Sequence, residues 1–211
     1  MDVEIGGAGR TDAGVHAIAQ VAHLKERSRS SKRPEEIRRA LNTALPADVV
    51  ILSVEPAQPR FHARHDAIGR SYLYQISIRK TAFNKKYVWW IKERLDLAAM
   101  AYASAQLVGR HNFDCFRALD PTKLDTSPIV VVDAARLEAE GDMILFRIEA
   151  SHFLWRMVRR IVGVLVKIGK GELKKEQFDL LLQGRCHPSL DVAAWTAPAS
   201  GLFLEQVRYK D

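Results

Sequence analysis

Between residues 69 and 78 apolar and polar side chains alternate, with Tyr72, Tyr74, Ile76 and Ile78 facing one way and Ser71, Leu73, Gln75 and Ser77 the other. A period of two predicts a half-buried strand. The same reading places strands at Val49 to Val54, Ile129 to Leu137, Met143 to Ala150 and Leu202 to Tyr209, with Glu140-Gly141-Asp142 as a hairpin turn between the third and fourth of these five. Elsewhere the period lengthens. Pro34-Glu35-Glu36 opens a helix carrying Ile37, Ala40, Leu41 and Ala44 on one face, and Pro46 ends it. Asp96 caps a second helix, with Leu97, Met100, Ala101, Ser104 and Leu107 on its inner face and Gly109 as its stop. The longest helix is expected from about Phe153 to Ile168, its stripe made of Leu154, Met157, Val158, Ile161, Leu165 and Ile168. Arg156, Arg159, Arg160, Gly163 and Lys167 fall on its other side. A shorter helix from Lys174 to Leu182 stops at Gly184. Strands come in hairpins and helices between them in pairs, which predicts an α+β sandwich with an antiparallel sheet. No Pro/Gly-rich linker separates independent domains.

The charge changes this picture most. Lys and Arg number 32 against 25 Asp and Glu, a formal charge of +7, which attracts polyanions. A merely basic surface is the bland reading, but clustering favours nucleic acid. Arg27, Arg29, Lys32 and Arg33 lie together, as do Arg156, Arg159 and Arg160, and then Lys167, Lys170, Lys174 and Lys175. The start, Met1-Asp2-Val3-Glu4-Ile5, has no signal-peptide pattern, and no apolar run reaches the roughly 20 residues a membrane span requires. The expected location is the cytoplasm. The two cysteines, Cys115 and Cys186, form no CxxC and are expected as separate thiols, Cys115 a small buried one. His62 and His65 lack a carboxylate or thiol partner nearby, so no metal site is expected.

Candidate chemistry concentrates in Gly6-Gly7-Ala8-Gly9-Arg10-Thr11-Asp12-Ala13-Gly14-Val15-His16. Glycines before and after Asp12 permit positive φ and close approach of another molecule. They would hold the carboxylate on a sharply turned, open platform. Arg10 beside it suits a phosphate or a base. Asp-Ala-Gly is also ordinary turn chemistry. The segment is no phosphate-binding loop, since no Gly-Lys-Ser/Thr follows, and no dinucleotide fingerprint, since the spacing is wrong and no long strand precedes it.

Gly9-Arg10-Thr11-Asp12-Ala13-Gly14-Val15-His16-Ala17, with Gln20-Val21 after it, closely resembles the active-site signature of the tRNA pseudouridine synthase A (TruA) family. Further segments match in order. Phe61-His62-Ala63-Arg64 with Arg70-Ser71-Tyr72-Leu73-Tyr74 resembles the FHAR…R-x-Y-x-Y stretch. Gly109-Arg110-His111-Asn112-Phe113 with Phe116-Arg117 resembles G-x-H-x-F…F-R, and Phe153-Leu154 with Met157-Val158-Arg159-Arg160-Ile161-Val162-Gly163 resembles F-L-x-x-M-V-R-x-I-V-G.

The resemblance implies the pseudouridine synthase fold, with two similar halves (here residues 1–90 and 91–211) and the active-site cleft between them. It implies a homodimer with tRNA as partner and neither metal nor cofactor. The reaction would be uridine-to-pseudouridine isomerisation in the anticodon stem–loop, at tRNA positions thirty-eight to forty. Asp12 matches the nucleophile and Arg159 the basic residue that pairs with it. Tyr72 matches the aromatic residue against the target base, and Arg10 the arginine that holds the target nucleotide out of the stack. Without the family, Tyr72 reads as a core tyrosine, Arg159 as a solvated charge and His16 as a packing residue. The target uridine must leave its stem before any group can reach it. An ionised carboxylate can then attack C6 or C1′, or act mainly as a base, and the residues do not choose among these. A guanidinium is its natural counter-ion.

One departure stands out. The family carries a strand and helix, with a Gly-Trp-Gln element, ahead of the Gly-Arg-Thr-Asp segment, and here that segment comes almost at once. The expectation is a bare sheet edge or a substitute cover. An RNA-binding protein of the same fold without turnover is the alternative reading. A hydrolase or phosphotransferase is disfavoured, because no second carboxylate accompanies Asp12.

Overall fold

The computed structural model describes residues 3–26, 32–119 and 127–210. The chain gathers into two compact units, Met1–Ala8 with Val21–Asp66, and Gly9–Gln20 with Ala67–Asp211.

The smaller unit holds β1 (Val3–Gly7) and β3 (Ala22–Glu26), while the intervening β2 (His16–Ala17) belongs to the larger one. β1 and β3 form an antiparallel ribbon in which Ile5 faces Leu24. β1 is a strand the alternation rule passes over, because glycine occupies its last two positions. Gly6 is required there by packing, since a Cβ would stand 2.6 Å from the His23 ring. Helix α1 (Pro34–Ala44) starts and stops as the sequence predicts. Pro34 opens it, and the Glu36 carboxylate accepts from the Arg33 N–H at 3.0 Å. No residue of α1 is fully buried.

Val49 to Val54 is not a strand. No ladder partner lies beside it among the described residues. The Asn42 side chain takes both backbone groups of Ile51, accepting from its N–H at 2.7 Å and donating to its C=O at 3.0 Å. Val50 and Leu52 are left in solvent.

In the larger unit β4 (Gly69–Ser77), β5 (Trp89–Trp90), α2 (Leu97–Ala105), β6 (Gly109–Asn112), β7 (Ile129–Glu140), β8 (Met143–Ala150), α3 (Met157–Gly169), α4 (Lys175–Leu182) and β9 (Leu202–Arg208) follow in order. The sheet runs β2-β9-β4-β8-β7-β6, with β5 beside β4. It is mixed rather than purely antiparallel, because β2 joins β9, and β5 joins β4, in parallel. The fold class is α+β, as expected. Tyr74, Ile76, Phe146 and Ile148 of the sheet share one buried cluster with Met100 of α2, Met157, Ile161 and Leu165 of α3, and Phe178 of α4. Each fully buried side chain of this size contributes about 1.5–3 kcal/mol by leaving water.

The Asp96 cap, the 140–142 hairpin and the short helix before Gly184 stand where predicted, with Asp96 accepting from the Ala99 N–H at 3.0 Å. Four details differ. Ile78 lies beyond its strand and is exposed. The second helix ends at Ala105, and Gly109, at φ +107°, opens β6 instead. The long helix begins at Met157, not Phe153, because Arg156 takes a left-handed conformation at φ 60°. Gly163 is buried rather than on a polar arc, as a Cβ there would meet the Trp195 carbonyl oxygen at 1.8 Å.

The cysteines are also corrected. Cys115 and Cys186 form a disulfide, their Cα atoms 5.4 Å apart and 71 residues apart in sequence. Cys115 is buried in the 3-10 turn Asp114–Phe116, which packs against α4, and Cys186 follows the end of that helix. Only tertiary packing brings the two together.

Candidate active site

Asp12 sits in a loop fixed at both ends by hydrogen bonds. On one side the Gln20 side chain donates to the Gly9 carbonyl at 3.0 Å. On the other, His16–Ala17 pairs with Phe203–Leu204, and the Ile18 N–H reaches the Leu204 carbonyl at 2.8 Å. Between them Asp12-Ala13-Gly14-Val15 closes a turn, Val15 N–H to Asp12 C=O at 3.0 Å. Its third residue, Gly14, takes φ +81°, a conformation that side chains resist. His16 packs between Tyr87 and Phe203 and bonds the Lys86 carbonyl, so its role is local packing as expected.

The turn delivers a partly exposed carboxylate to the first turn of α3. Arg159 Nη1 donates to Asp12 Oδ2 at 3.2 Å, and the Arg159 side chain is only 16% exposed. This guanidinium is not a solvated charge. Its Nε donates to the Ala197 carbonyl at 2.7 Å, while the Ala197 N–H bonds the Arg159 carbonyl at 3.1 Å. Four residues on, Gly163 lets the Trp195 carbonyl settle against the helix. The segment from Trp195 to Ala197 thus aims Arg159 at Asp12. An aimed donor on a charged acceptor is among the stronger hydrogen bonds in proteins.

The other oxygen, Asp12 Oδ1, accepts from the indole N–H of Trp155 at 3.2 Å. Sequence reasoning assigned Trp155 no role. The signal available was an aromatic residue with a polar handle at the first variable position of the Phe153-Leu154-x-x-Met157 segment.

Tyr72 lies mid-strand, flanked by Ile148 on β8 and Leu204 on β9, with the Phe153 ring edge-on at 5.0 Å. Burial pushes the pKa of its hydroxyl above the ordinary phenol value; the Arg70 charge opposes this and the Asp12 charge adds to it. Tyr72 therefore stays protonated at neutral pH and within the field of Asp12. Its neighbour Tyr74 is a core residue, its hydroxyl donating to the Pro198 carbonyl at 2.7 Å.

Arg10 is exposed, two residues from Asp12, with no ion-pair partner among the described residues. It is free to meet an anion. The structure brings Asp12 and Arg159 into contact, sets Tyr72 within the electrostatic reach of Asp12 and leaves Arg10 exposed.

The expected basic clusters hold less free charge than the sequence suggests. Arg160 donates to the Arg117 carbonyl, Lys167 pairs with Glu172, and Lys170 pairs with Glu93 at 2.9 Å. Arg27 and Arg29 lie outside the described residues. No group of side chains able to hold a metal occurs among the described residues, and no helix there is long and apolar enough to cross a membrane.

A family model described as tRNA pseudouridine synthase matches residues 1–66 and 103–210. The chain is similar to tRNA pseudouridine synthase A of Methylococcus capsulatus, 41% identical over 97% of this chain and 73% of the relative. It is 40% identical to tRNA pseudouridine synthase A of Beijerinckia indica over 99% of this chain and 79% of that one. It is 35% identical to tRNA pseudouridine synthase A 2 of Clostridium tetani over 99% and 82%. Matched by the family model over most of its length and by relatives at 35–41% identity, the chain belongs to the tRNA pseudouridine synthase family.

Proposed function

We propose that this protein isomerises uridine to pseudouridine in the anticodon stem–loop of tRNA, at positions thirty-eight to forty, with Asp12 as the reacting carboxylate. The observation that carries this reading is the Asp12–Arg159 pair: a carboxylate on an open glycine turn, its Oδ2 held at 3.2 Å by an aimed guanidinium. The reaction is an internal exchange. The bond between C1′ and N1 breaks, the uracil turns, and C1′ bonds to C5; C5 loses its proton and N1 gains one, so no co-reactant is consumed.

Each residue has a task in that sequence. The carboxylate acts at C1′ or C6, or as the base, and in each case from its ionised form, which Arg159 accompanies. Tyr72 offers a flat wall against the detached uracil, and its protonated hydroxyl is a donor within the field of Asp12. Arg10 meets a phosphate or base of the flipped nucleotide. The substrate places the enzyme in the cytoplasm with tRNA, and we expect it to work as a homodimer.

The test measures tritium released from C5-labelled uridine in tRNA. The parent protein should release tritium, and Asp12→Asn should fall to background while binding tRNA nearly as well, because binding rests on many phosphate contacts. Substantial turnover by Asp12→Asn would remove Asp12 from its role. Binding without release by the parent would leave an RNA-binding protein.

A further inference from the structure

Trp155 is the residue at this site that neither core packing nor the family signature explains. The residue is 45% exposed, yet its indole N–H is spent on Asp12 Oδ1 at 3.2 Å. Leu154 just before it and Met157 two residues after it enter the core. The chain achieves this split through Arg156, whose φ of 60° makes it the non-glycine residue with positive φ among those described. Left-handed backbone at such a residue is disfavoured, and strain of this kind collects at working sites. The turn leaves Trp155 outside the helix that carries Arg159. Its backbone is pinned by the Ala118 N–H, which donates to the Trp155 carbonyl at 2.9 Å. The Arg156 guanidinium lies over the ring, 4.9 Å from its centre, so the indole is fixed from a second direction.

Consequently the two oxygens of Asp12 are held by two different donors, Oδ2 by Arg159 and Oδ1 by Trp155. A carboxylate with one donor can still swing about its terminal bond; with both oxygens held it has one orientation. Each oxygen keeps a further lone pair for the substrate. Such orientation before the reaction is worth most where a reacting atom must approach along one line.

We propose that Trp155 is a positioning residue for the isomerisation: through its indole N–H it fixes the orientation of the Asp12 carboxylate. The inference rests on Asp12 being the reacting group. Trp155→Phe in the full chain keeps a ring beneath Arg156 and deletes the N–H. Single-turnover rate should fall about 10- to 100-fold, the range expected for one hydrogen bond to a charged group, with tRNA affinity and thermal midpoint close to the parent's. Trp155→His returns an N–H at the same number of bonds from Cβ and should recover part of the rate. A Trp155→Phe rate within about twofold of the parent overturns the proposal. So does a loss shared equally by the Phe and His variants, together with weakened tRNA binding or a lowered midpoint; that pattern assigns Trp155 to binding or to structure. Asp12→Asn runs as the control. If it still turns over, the reading of Asp12 fails; if it is dead while Trp155→Phe is unimpaired, the positioning role alone fails.

Discussion

Helices α1 and α3 look alike in sequence and are held in opposite ways. Both carry an apolar stripe at helical spacing. α3 fully buries Met157, Val158, Ile161, Val162, Gly163, Val164, Leu165, Val166 and Gly169, whereas α1 fully buries none of its residues. The difference extends to the units that contain them. In the larger unit Phe113, Phe116, Phe146 and Phe178 are sealed from solvent, while in the smaller Val3, Ile5, Leu24, Val50 and Leu52 remain exposed. Amphipathic spacing fixes which face of a helix is apolar but does not supply the partner that buries it. The residues assigned to the chemistry belong to the well-packed unit, where a side chain is held in one place by its neighbours.

The strongest way to break this comparison is to spoil the packing of α3 and watch the site. Gly163→Ala places a methyl group 1.8 Å from the Trp195 carbonyl oxygen, a backbone atom that cannot turn aside. The 195–197 segment must move, and Ala197 is the residue that aims Arg159. Turnover should drop at least 100-fold and the fold should lose about 1–3 kcal/mol or more. Full activity with an unchanged thermal midpoint would show that the segment does not position Arg159.

A paired substitution sharpens the contrast between the units. Phe178→Ala empties a fully buried site in the large core and should cost about 3–5 kcal/mol in a denaturant titration. Ile5→Ser replaces a side chain that is 69% exposed and should stay within about 0.5 kcal/mol. Equal costs would mean that the smaller unit's apolar surface is covered in solution.

Much of this was legible in the sequence, for reasons that particular residues make plain. The 140–142 hairpin and the Asp96 cap depend on local rules, and local rules read well. The Asp12–Arg159 pair joins residues 147 apart, which no local rule reaches; the motif resemblance supplied it, and the geometry then brought the two together. What failed was tertiary. Val49 to Val54 has strand composition but no ladder partner among the described residues. Gly163 reads as polar-side filler until the Trp195 carbonyl arrives against it. Cys115 and Cys186 meet only because the 3-10 turn packs against α4. Trp155 escaped notice because its role depends on one left-handed residue that helical periodicity runs straight through.

The smallest expected effect concerns how α1 is held, and it is electrostatic. Arg38 donates to both oxygens of Glu35, at 2.8 and 2.9 Å, and Arg39 donates at 3.1 Å. The Arg38 hydrogen bonds, with Arg39 adding to them, hold the Glu35 acidity at a pKa of about 2, against an ordinary 4.5. Because the folded value is the depressed one, the stabilisation is fully present above about pH 4.5 and fades as pH falls toward 2. These groups are exposed, so salt weakens the effect as well. Amide exchange followed from pH 5 to pH 3.5 should therefore show α1 losing a little protection, after correction for intrinsic rates, while α3 changes less. Glu35→Gln should lower α1 protection at pH 5 and flatten this component of its pH dependence, with Glu36, whose pKa Arg33 also lowers, supplying what remains. If α1 in the parent keeps its full protection down to pH 3.5 in high salt, burial rather than charge holds that helix, and the contrast between α1 and α3 disappears.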